Sequence, residues 1–171
     1  MNNIIDVQVT IDTDTLIKDV PNPSKNPESP SQIGHQYAFM VVTDGAAISG
    51  QGGADLSFAA QVGDTVRFHG SSASNNFENA VLLYGMPRFG GSQVFSEFIS
   101  YTFTKSGVSP SNPAVLPAHV GSERFWFFQA NVIQAGTENY QVRFAVYQRD
   151  DNGYPVLLGY YQWDPQIVVQ G

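Results

Sequence analysis

The sequence predicts an all-β fold, a two-sheet antiparallel β-sandwich of jelly-roll type in which residues 1–171 form a single domain. Three observations support this prediction. Apolar and polar residues alternate with period two in most of the predicted strands, as expected of strands with one buried face. About nine or ten such segments follow one another at regular spacing, which is typical of sandwiches. The chain also contains 16 Gly and 10 Pro, so that turns are frequent and no separate linker stands out.

The first half of the chain contains well-defined strand patterns. Val7, Val9 and Ile11 alternate with polar residues and predict the first strand, and a short helix is predicted directly after it, over residues 13–20. A fully apolar segment at residues 80–84 is compatible with a strand in the centre of a sheet. Other strands in this half are predicted at residues 37–43, 55–58 and 65–69.

The second half continues the pattern with more aromatic residues. In residues 94–104, Phe98 is out of phase with the other aromatic residues, which indicates a bulge or a bend. Four consecutive aromatic residues, 125–128, place rings on both faces of one strand. That strand is therefore either central or packed on another subunit. A turn is predicted at the DDNG sequence of residues 150–153, and strands at residues 140–146, 156–163 and 167–169.

Two long proline-rich loops interrupt the strands. The first, residues 21–36, contains prolines at positions 21, 23, 27 and 30, and the second, residues 106–122, contains prolines at 110, 113 and 117. Loops of this length in a compact domain are usually functional or cover the edge of a sheet. Proline restricts the unfolded chain, so both loops are expected to be ordered.

Composition excludes several classes of partner. Eight basic and fifteen acidic residues give a net charge of −7, and the basic residues form no cluster, so neither nucleic acid nor an anionic membrane surface is an expected partner. No apolar segment is long enough to span a bilayer, and the N-terminal residues lack the pattern of a signal peptide. We therefore expect a cytoplasmic protein. The absence of cysteine excludes disulfides and thiolate metal sites.

No sequence pattern of an enzyme is present. A nucleophile elbow, a phosphate-binding loop and a zinc-binding helix are all missing. Histidines 35, 69 and 119 are far apart in the sequence and are interpreted as structural. The five glutamates, at positions 28, 78, 97, 123 and 138, show no pairing that would suit glycoside hydrolysis. The sequence therefore predicts a protein that is not an enzyme.

A calcium site is one candidate function. Asp12 and Asp14 lie at the exit of the first strand, Asn22 follows closely, and Asp44 ends another predicted strand. Calcium takes six to eight oxygen ligands, which carboxylates, amides and loop carbonyls supply. The alternative is that Asp12 and Asp14 end the strand and cap the short helix.

A carbohydrate site is the second candidate. Tyr161, Trp163 and Asp164 lie in the segment GYYQWDP, residues 159–165. An aromatic face stacks on the C–H groups of a sugar, while a carboxylate accepts hydrogen bonds from the hydroxyl groups of the sugar. Tyr161 and Trp163 share one face of a strand. The alternative is that this face packs in the core and that Asp164 belongs to a turn.

Several segments in order along almost the whole chain resemble the AidA/PixA family of bacterial inclusion-body proteins. They are VTIDTD at 9–14, NPS at 22–24, SGQGGADLSF at 49–58, GDTV at 63–66, GTENY at 136–140 and GYYQWDP at 159–165. The resemblance implies a small protein of host-associated Gram-negative bacteria, produced under quorum-sensing or phase control and accumulated in cytoplasmic inclusions. It supplies no catalytic residues. With 3 Met, the chain resembles the AidA side of the family more than its methionine-rich members.

The function expected from residues and resemblance together is calcium-assisted, lectin-like carbohydrate binding in host association, by a homodimer. The alternative is a structural or storage protein that forms cytoplasmic inclusions and has no small-molecule ligand. Release from the cell, if it occurs, would use no signal peptide.

Overall fold

The computed structural model describes residues 2–43 and 45–171, and it confirms a sandwich-like all-β fold, with 56% of residues in strands and 6% in helices. It differs from the sequence prediction in having three mixed sheets, none of them closed into a barrel. The elements are β1 Ile4–Ile11, α1 Thr13–Asp19, β2 Ser31–Gln32, a 3₁₀ helix His35–Tyr37, β3 Ala38–Val42, β4 Ala47–Ser49, β5 Leu56–Ala59, β6 Thr65–Ser72, β7 Ala80–Gly85, β8 Arg88–Gly91, β9 Ile99–Ser109, β10 His119–Asn131, β11 Gly136–Tyr140, β12 Val142–Arg149, β13 Pro155–Trp163 and β14 Gln166–Gln170.

The first five-stranded sheet has the order β3-β1-β6-β10-β9. Strand β1 pairs antiparallel with β3 and parallel with β6. Its alternation is the one that the sequence predicts, because Val7, Val9 and Ile11 are fully buried while the residues between them are half-buried. Period two therefore identifies the core face of this strand correctly.

Two stretches of the chain run from one of the two other sheets into the other. The five-stranded sheet has the order β4-β5-β14-β11-β8, and the four-stranded sheet has the order β2-β13-β12-β7. The chain passes from β11 directly into β12, and from β13 through Asp164 and Pro165 into β14. Parallel pairs occur here too, between β14 and β5 and between β13 and β2. The prediction of strictly antiparallel sheets is therefore wrong. Strands that are distant in sequence lie side by side, and the long connections between them allow parallel pairing.

The position of strand β7 differs from the central position with which its sequence is compatible. Its apolar sequence is compatible with a central strand, but among the described strands it lies at the edge of its sheet, next to β12. Val81 and Leu83 are buried, whereas Leu82 between them is 40% exposed. A short apolar run does not distinguish an edge from a central strand, since sheet position depends on which strands are brought alongside.

The first proline-rich loop covers a sheet edge. Residues of this loop pair with β13 through β2 and through a bridge between Ser24 and Tyr160. Gly159 makes the close approach possible, because a Cβ atom there would lie 2.6 Å from Pro23 Cγ. The loop thus protects β13 from pairing with other chains.

The second proline-rich loop is shorter than predicted. Strands β9 and β10 extend into it, so that only residues 110–118 connect them. The two strands pair along their whole facing length, from His119 with Ser109 to Gln129 with Ile99. Strand β10 pairs with β6 only from Phe128 to Asn131. Residues 99–109 and 119–127 therefore form a two-stranded extension of the sheet, called the ribbon below.

The core contains a continuous set of buried aromatic residues. Phe144 stacks on Tyr161 with ring centroids 5.6 Å apart and meets Trp163 edge-on at 6.0 Å. Phe58 stacks on Phe95 at 6.4 Å. Among the described residues, no helix has both the length and the apolar character needed to cross a membrane.

Candidate functional site

Tyr161 and Trp163 lie in the core. They share one face of β13, as the sequence predicts, but both side chains are fully buried. Trp163 Nε1 donates a hydrogen bond to Ala54 O at 3.3 Å, and Tyr161 Oη donates to Val20 O at 2.9 Å. The predicted stacking of a sugar on Tyr161 or Trp163 is therefore wrong, because neither ring presents a face to a ligand. Burial raises the pKa of Tyr161 to about 12, so the phenol stays protonated.

Asp164 is exposed and belongs to a polar surface cluster. His35 Nε2 lies 3.4 Å from Asp164 Oδ1, and His35 Nδ1 lies 3.3 Å from Asp55 Oδ2. Gln32 Nε2 donates to Asp164 Oδ1 at 2.8 Å. Because the two ring nitrogens point in opposite directions, His35 bridges the two carboxylates and does not combine with them into one chelating group.

Asp12 and Asp14 do not share a strand face. Asp12 is the N-cap of α1, where its carboxylate accepts hydrogen bonds from Thr15 N at 3.0 Å and Thr15 Oγ1 at 2.7 Å. The Thr15 backbone N–H, and then the Thr15 hydroxyl, hold the pKa of Asp12 below its usual value. Asp14 lies within the first turn and accepts from Asn79 Nδ2 at 3.2 Å. The capping alternative is thus confirmed.

The other two predicted calcium ligands, Asn22 and Asp44, do not complete a calcium site with Asp12 and Asp14 in the part of the chain that the structure describes. Asn22 is exposed in the first proline-rich loop, and Asp44 lies outside the described residues. Among the residues that the structure describes, no three His, Cys, Asp or Glu side chains are close enough to hold a metal ion together. Calcium binding stays a prediction.

The ribbon has one aromatic face. Cross-strand pairing places Phe125 opposite Phe103, and Phe127 opposite Tyr101. The rings stack along the ribbon, with centroid distances of 6.2 Å between Tyr101 and Phe103 and 5.8 Å between Phe103 and Phe127. Tyr101, Phe103 and Phe125 are 37%, 43% and 40% exposed. These four rings are called the aromatic face below.

Two cations lie over the aromatic face. Arg67 Cζ is 4.6 Å from the centroid of the Phe127 ring, and Lys105 Nζ is 5.8 Å from that of Phe103. The negative faces of aromatic rings attract such cations.

For residues 125–128, the sequence allowed two interpretations, a central strand or a strand packed on another subunit. The structure places this segment where β10 leaves the sheet, so Phe127 and Phe128 are buried and Phe125 is exposed.

A buried carboxylate lies in a cavity at one edge of the fold. Glu138 of β11 is fully buried, and its Oε2 accepts hydrogen bonds from Val94 N at 2.7 Å and Phe95 N at 2.9 Å. Arg88 Nε approaches Glu138 Oε1 to 2.9 Å from the neighbouring strand β8. Gly91, opposite Glu138 in this pairing, has φ +78°, and a Cβ atom there would lie 2.4 Å from Thr137 O.

The cavity beside this carboxylate measures about 480 Å³ and is called the Glu138 cavity below. Phe95, Phe98 and Tyr140 form aromatic walls, with Phe98 edge-on to Tyr140 at 5.3 Å. Burial, and in second place the Glu138 carboxylate, raises the pKa of Tyr140 above its usual range. The phenol therefore remains a neutral hydrogen-bond donor.

Sequence reasoning missed Glu138 and Arg88 as a pair. The available signal was the phase of β11, in which Glu138 shares a strand face with the buried Tyr140. A carboxylate at a core position is unusual unless it is paired. Arg88, 50 positions earlier in the sequence, could not be named as its partner before the two strands were known to lie side by side.

Two comparisons with known proteins lead to the same family. The sequence model of a family described as PixA, inclusion body protein, matches residues 3–169. A crystal structure of an inclusion body protein (PixA) from Burkholderia cenocepacia J2315 is similar, with a TM-score of 0.85 and 29% sequence identity. The alignment covers 99% of this chain and 97% of that one. No curated protein sequence matches the chain.

Proposed function

Because the chain belongs to the PixA inclusion body protein family, we propose that it is a non-catalytic structural protein that self-associates into cytoplasmic inclusion bodies through the aromatic face. The observation that carries this proposal is the solvent exposure of stacked rings on the ribbon, where Tyr101, Phe103 and Phe125 are each more than a third exposed. Contiguous exposed apolar surface of this kind is typical of protein interfaces.

A second copy of the chain is the partner that the charges favour. Lys105 and Arg67 place two positive groups at the aromatic face against one carboxylate, that of Glu123 opposite Lys105, whereas the chain as a whole has a net charge of −7. Acidic groups elsewhere on one copy are therefore complementary in charge to the aromatic face of another. Aromatic residues and arginine are also the side chains that dominate binding energy at interfaces.

Replacing Phe103 and Phe125 by serine together is expected to weaken self-association strongly. Aromatic residues at the centre of an interface contribute about 2 kcal/mol or more each, so the dissociation constant should rise about thirtyfold for each ring removed and about a thousandfold for the double variant. Light scattering at high micromolar concentration measures the effect, with wild type above monomer mass and the variant at monomer mass. Thr104→Ser, on the opposite face of β9, is the matched control and should behave as wild type.

A monomeric wild type under these conditions would contradict the proposal. So would a double variant that associates as well as wild type, or one that still forms intracellular inclusions to the same extent.

Calcium-assisted carbohydrate binding in host association is the second candidate. The observation in its favour is the exposed polar cluster at Asp164, where His35, Asp55 and Gln32 offer donors and acceptors that suit sugar hydroxyls. A glycan array with and without calcium tests it. Asp164→Ala should lose the bound glycan, while Asp151→Ala, in the exposed turn after β12, should retain it. An array without signal in both conditions removes this candidate.

A further inference from the structure

The two oxygens of the Glu138 carboxylate differ in how well they are hydrogen-bonded. Oε2 accepts two backbone hydrogen bonds, from Val94 and Phe95. Oε1 is buried and accepts no well-aligned hydrogen bond from the described residues, although Arg88 Nε lies 2.9 Å away. A buried carboxylate oxygen without a good donor is costly. A ligand that brings a charged N–H group to Oε1 would therefore gain a strong, charge-assisted interaction.

Arg88 is partly exposed and makes few contacts at its position. Its side chain is 43% exposed, and apart from the Glu138 contact its guanidinium donates only to Gly91 O among the described residues. The exposed part can be solvated when the side chain turns outwards. Arg88 is thus placed as an internal cation that a cationic ligand can replace.

The cavity walls favour cations over anions. Phe95, Phe98 and Tyr140 surround the site with ring faces and edges, at centroid distances of 5.5 Å for Phe95–Phe98 and 6.1 Å for Phe95–Tyr140. Aromatic faces attract organic cations. Two carboxylates, Glu138 and Glu97, line the cavity against a single guanidinium. An anionic ligand would meet this charge unfavourably.

We propose that the Glu138 cavity binds a small organic cation, an amine or amidine on an apolar body about the size of one ring, whose N–H group donates to Glu138 Oε1 in place of Arg88. The volume of about 480 Å³ lies within the usual range for small-molecule sites. Arg88 and Glu138 lie on β8 and β11, and the lining of the cavity includes no residue of the ribbon, so its ligand can be tested separately from the self-association proposed above.

Three isosteric probes test the class of ligand on the full chain. Benzamidine is the cation, benzamide the neutral analogue and benzoate the anion. Titration is followed by the NMR signals of the Val94 and Phe95 amides, which donate to Glu138 and report on its surroundings. We expect saturable shifts with benzamidine, weaker ones with benzamide and none with benzoate. Equal or stronger binding of benzoate, or no shifts with millimolar benzamidine, would overturn the proposal.

Arg88→Ala gives the sharper test, because it removes the internal competitor. The variant is expected to bind benzamidine about tenfold more tightly than wild type, and its melting temperature, lowered by the unpaired Glu138, should rise more on addition of benzamidine than that of wild type. Arg149→Ala, which removes an arginine at the end of β12 that does not line the cavity, should bind benzamidine as wild type does. Unchanged or weaker binding by Arg88→Ala would mean that Arg88 recognises the ligand itself, contrary to the proposal.

Discussion

Replacing Trp163 by alanine is expected to lower the free energy of unfolding by about 3–5 kcal/mol. The side chain is fully buried against Phe144, and the substitution leaves a large cavity in the core beside that ring. It also removes the donor that satisfies Ala54 O. Chemical denaturation followed by far-ultraviolet circular dichroism measures the loss without depending on tryptophan fluorescence.

The chain contains its own control for this prediction. Trp126, the other of its 2 Trp, is half-buried on the ribbon. Trp126→Ala should cost only about 1 kcal/mol, near the centre of the distribution for single substitutions. Equal losses for the two variants would contradict the packing described for Trp163, and a stable Trp163→Ala protein would restore it as a candidate ligand residue.

Replacing Glu138 by alanine should have the second large effect, a loss of about 3 kcal/mol. The substitution leaves two buried backbone N–H groups, those of Val94 and Phe95, without an acceptor, and each such group costs about 1–3 kcal/mol. Loss of the Arg88 ion pair adds little, because Arg88 is partly exposed and becomes solvated.

Two further variants sharpen this measurement. Glu138→Gln retains a carbonyl oxygen for the two N–H groups and should lose clearly less stability than Glu138→Ala. Glu97→Ala removes an exposed carboxylate from the rim of the same cavity and should stay within about 0.5 kcal/mol of wild type. A Glu138→Ala protein as stable as the Glu97→Ala protein would show that the buried hydrogen bonds contribute nothing.

Features that depend on neighbouring residues were predictable from the sequence. The alternation of Val7, Val9 and Ile11 predicts strand β1 with its buried face, and the DDNG turn joins β12 to β13 as expected. The helix predicted at residues 13–20 is observed at Thr13–Asp19, with Asp12 as its N-cap. Turn and cap preferences arise from hydrogen bonds within a few residues, so short sequence patterns contain them.

The candidate site was harder to predict from the sequence. Alternation shows which residues of a strand share a face, but it does not show which face is covered by other parts of the protein. The pattern places Tyr161 and Trp163 together, but the packing of Phe144 against them makes that face the core. The same limit applies to the ribbon, where Phe103 and Phe125 look like core residues in sequence and are exposed in the structure. Their faces are decided by whether another layer of the protein lies above them.

The sequence by itself therefore determined the all-β class, the family resemblance, most strand positions and the short helix after β1, but it left Asp12 open between a helix cap and a calcium ligand. The tertiary structure alone decided that β7 is an edge strand, that β9 and β10 leave the sheet as a ribbon, and that Arg88 meets Glu138 across 50 positions of sequence. Periodicity and turn chemistry act over a few residues, whereas partner choice between strands depends on the packing of the whole chain.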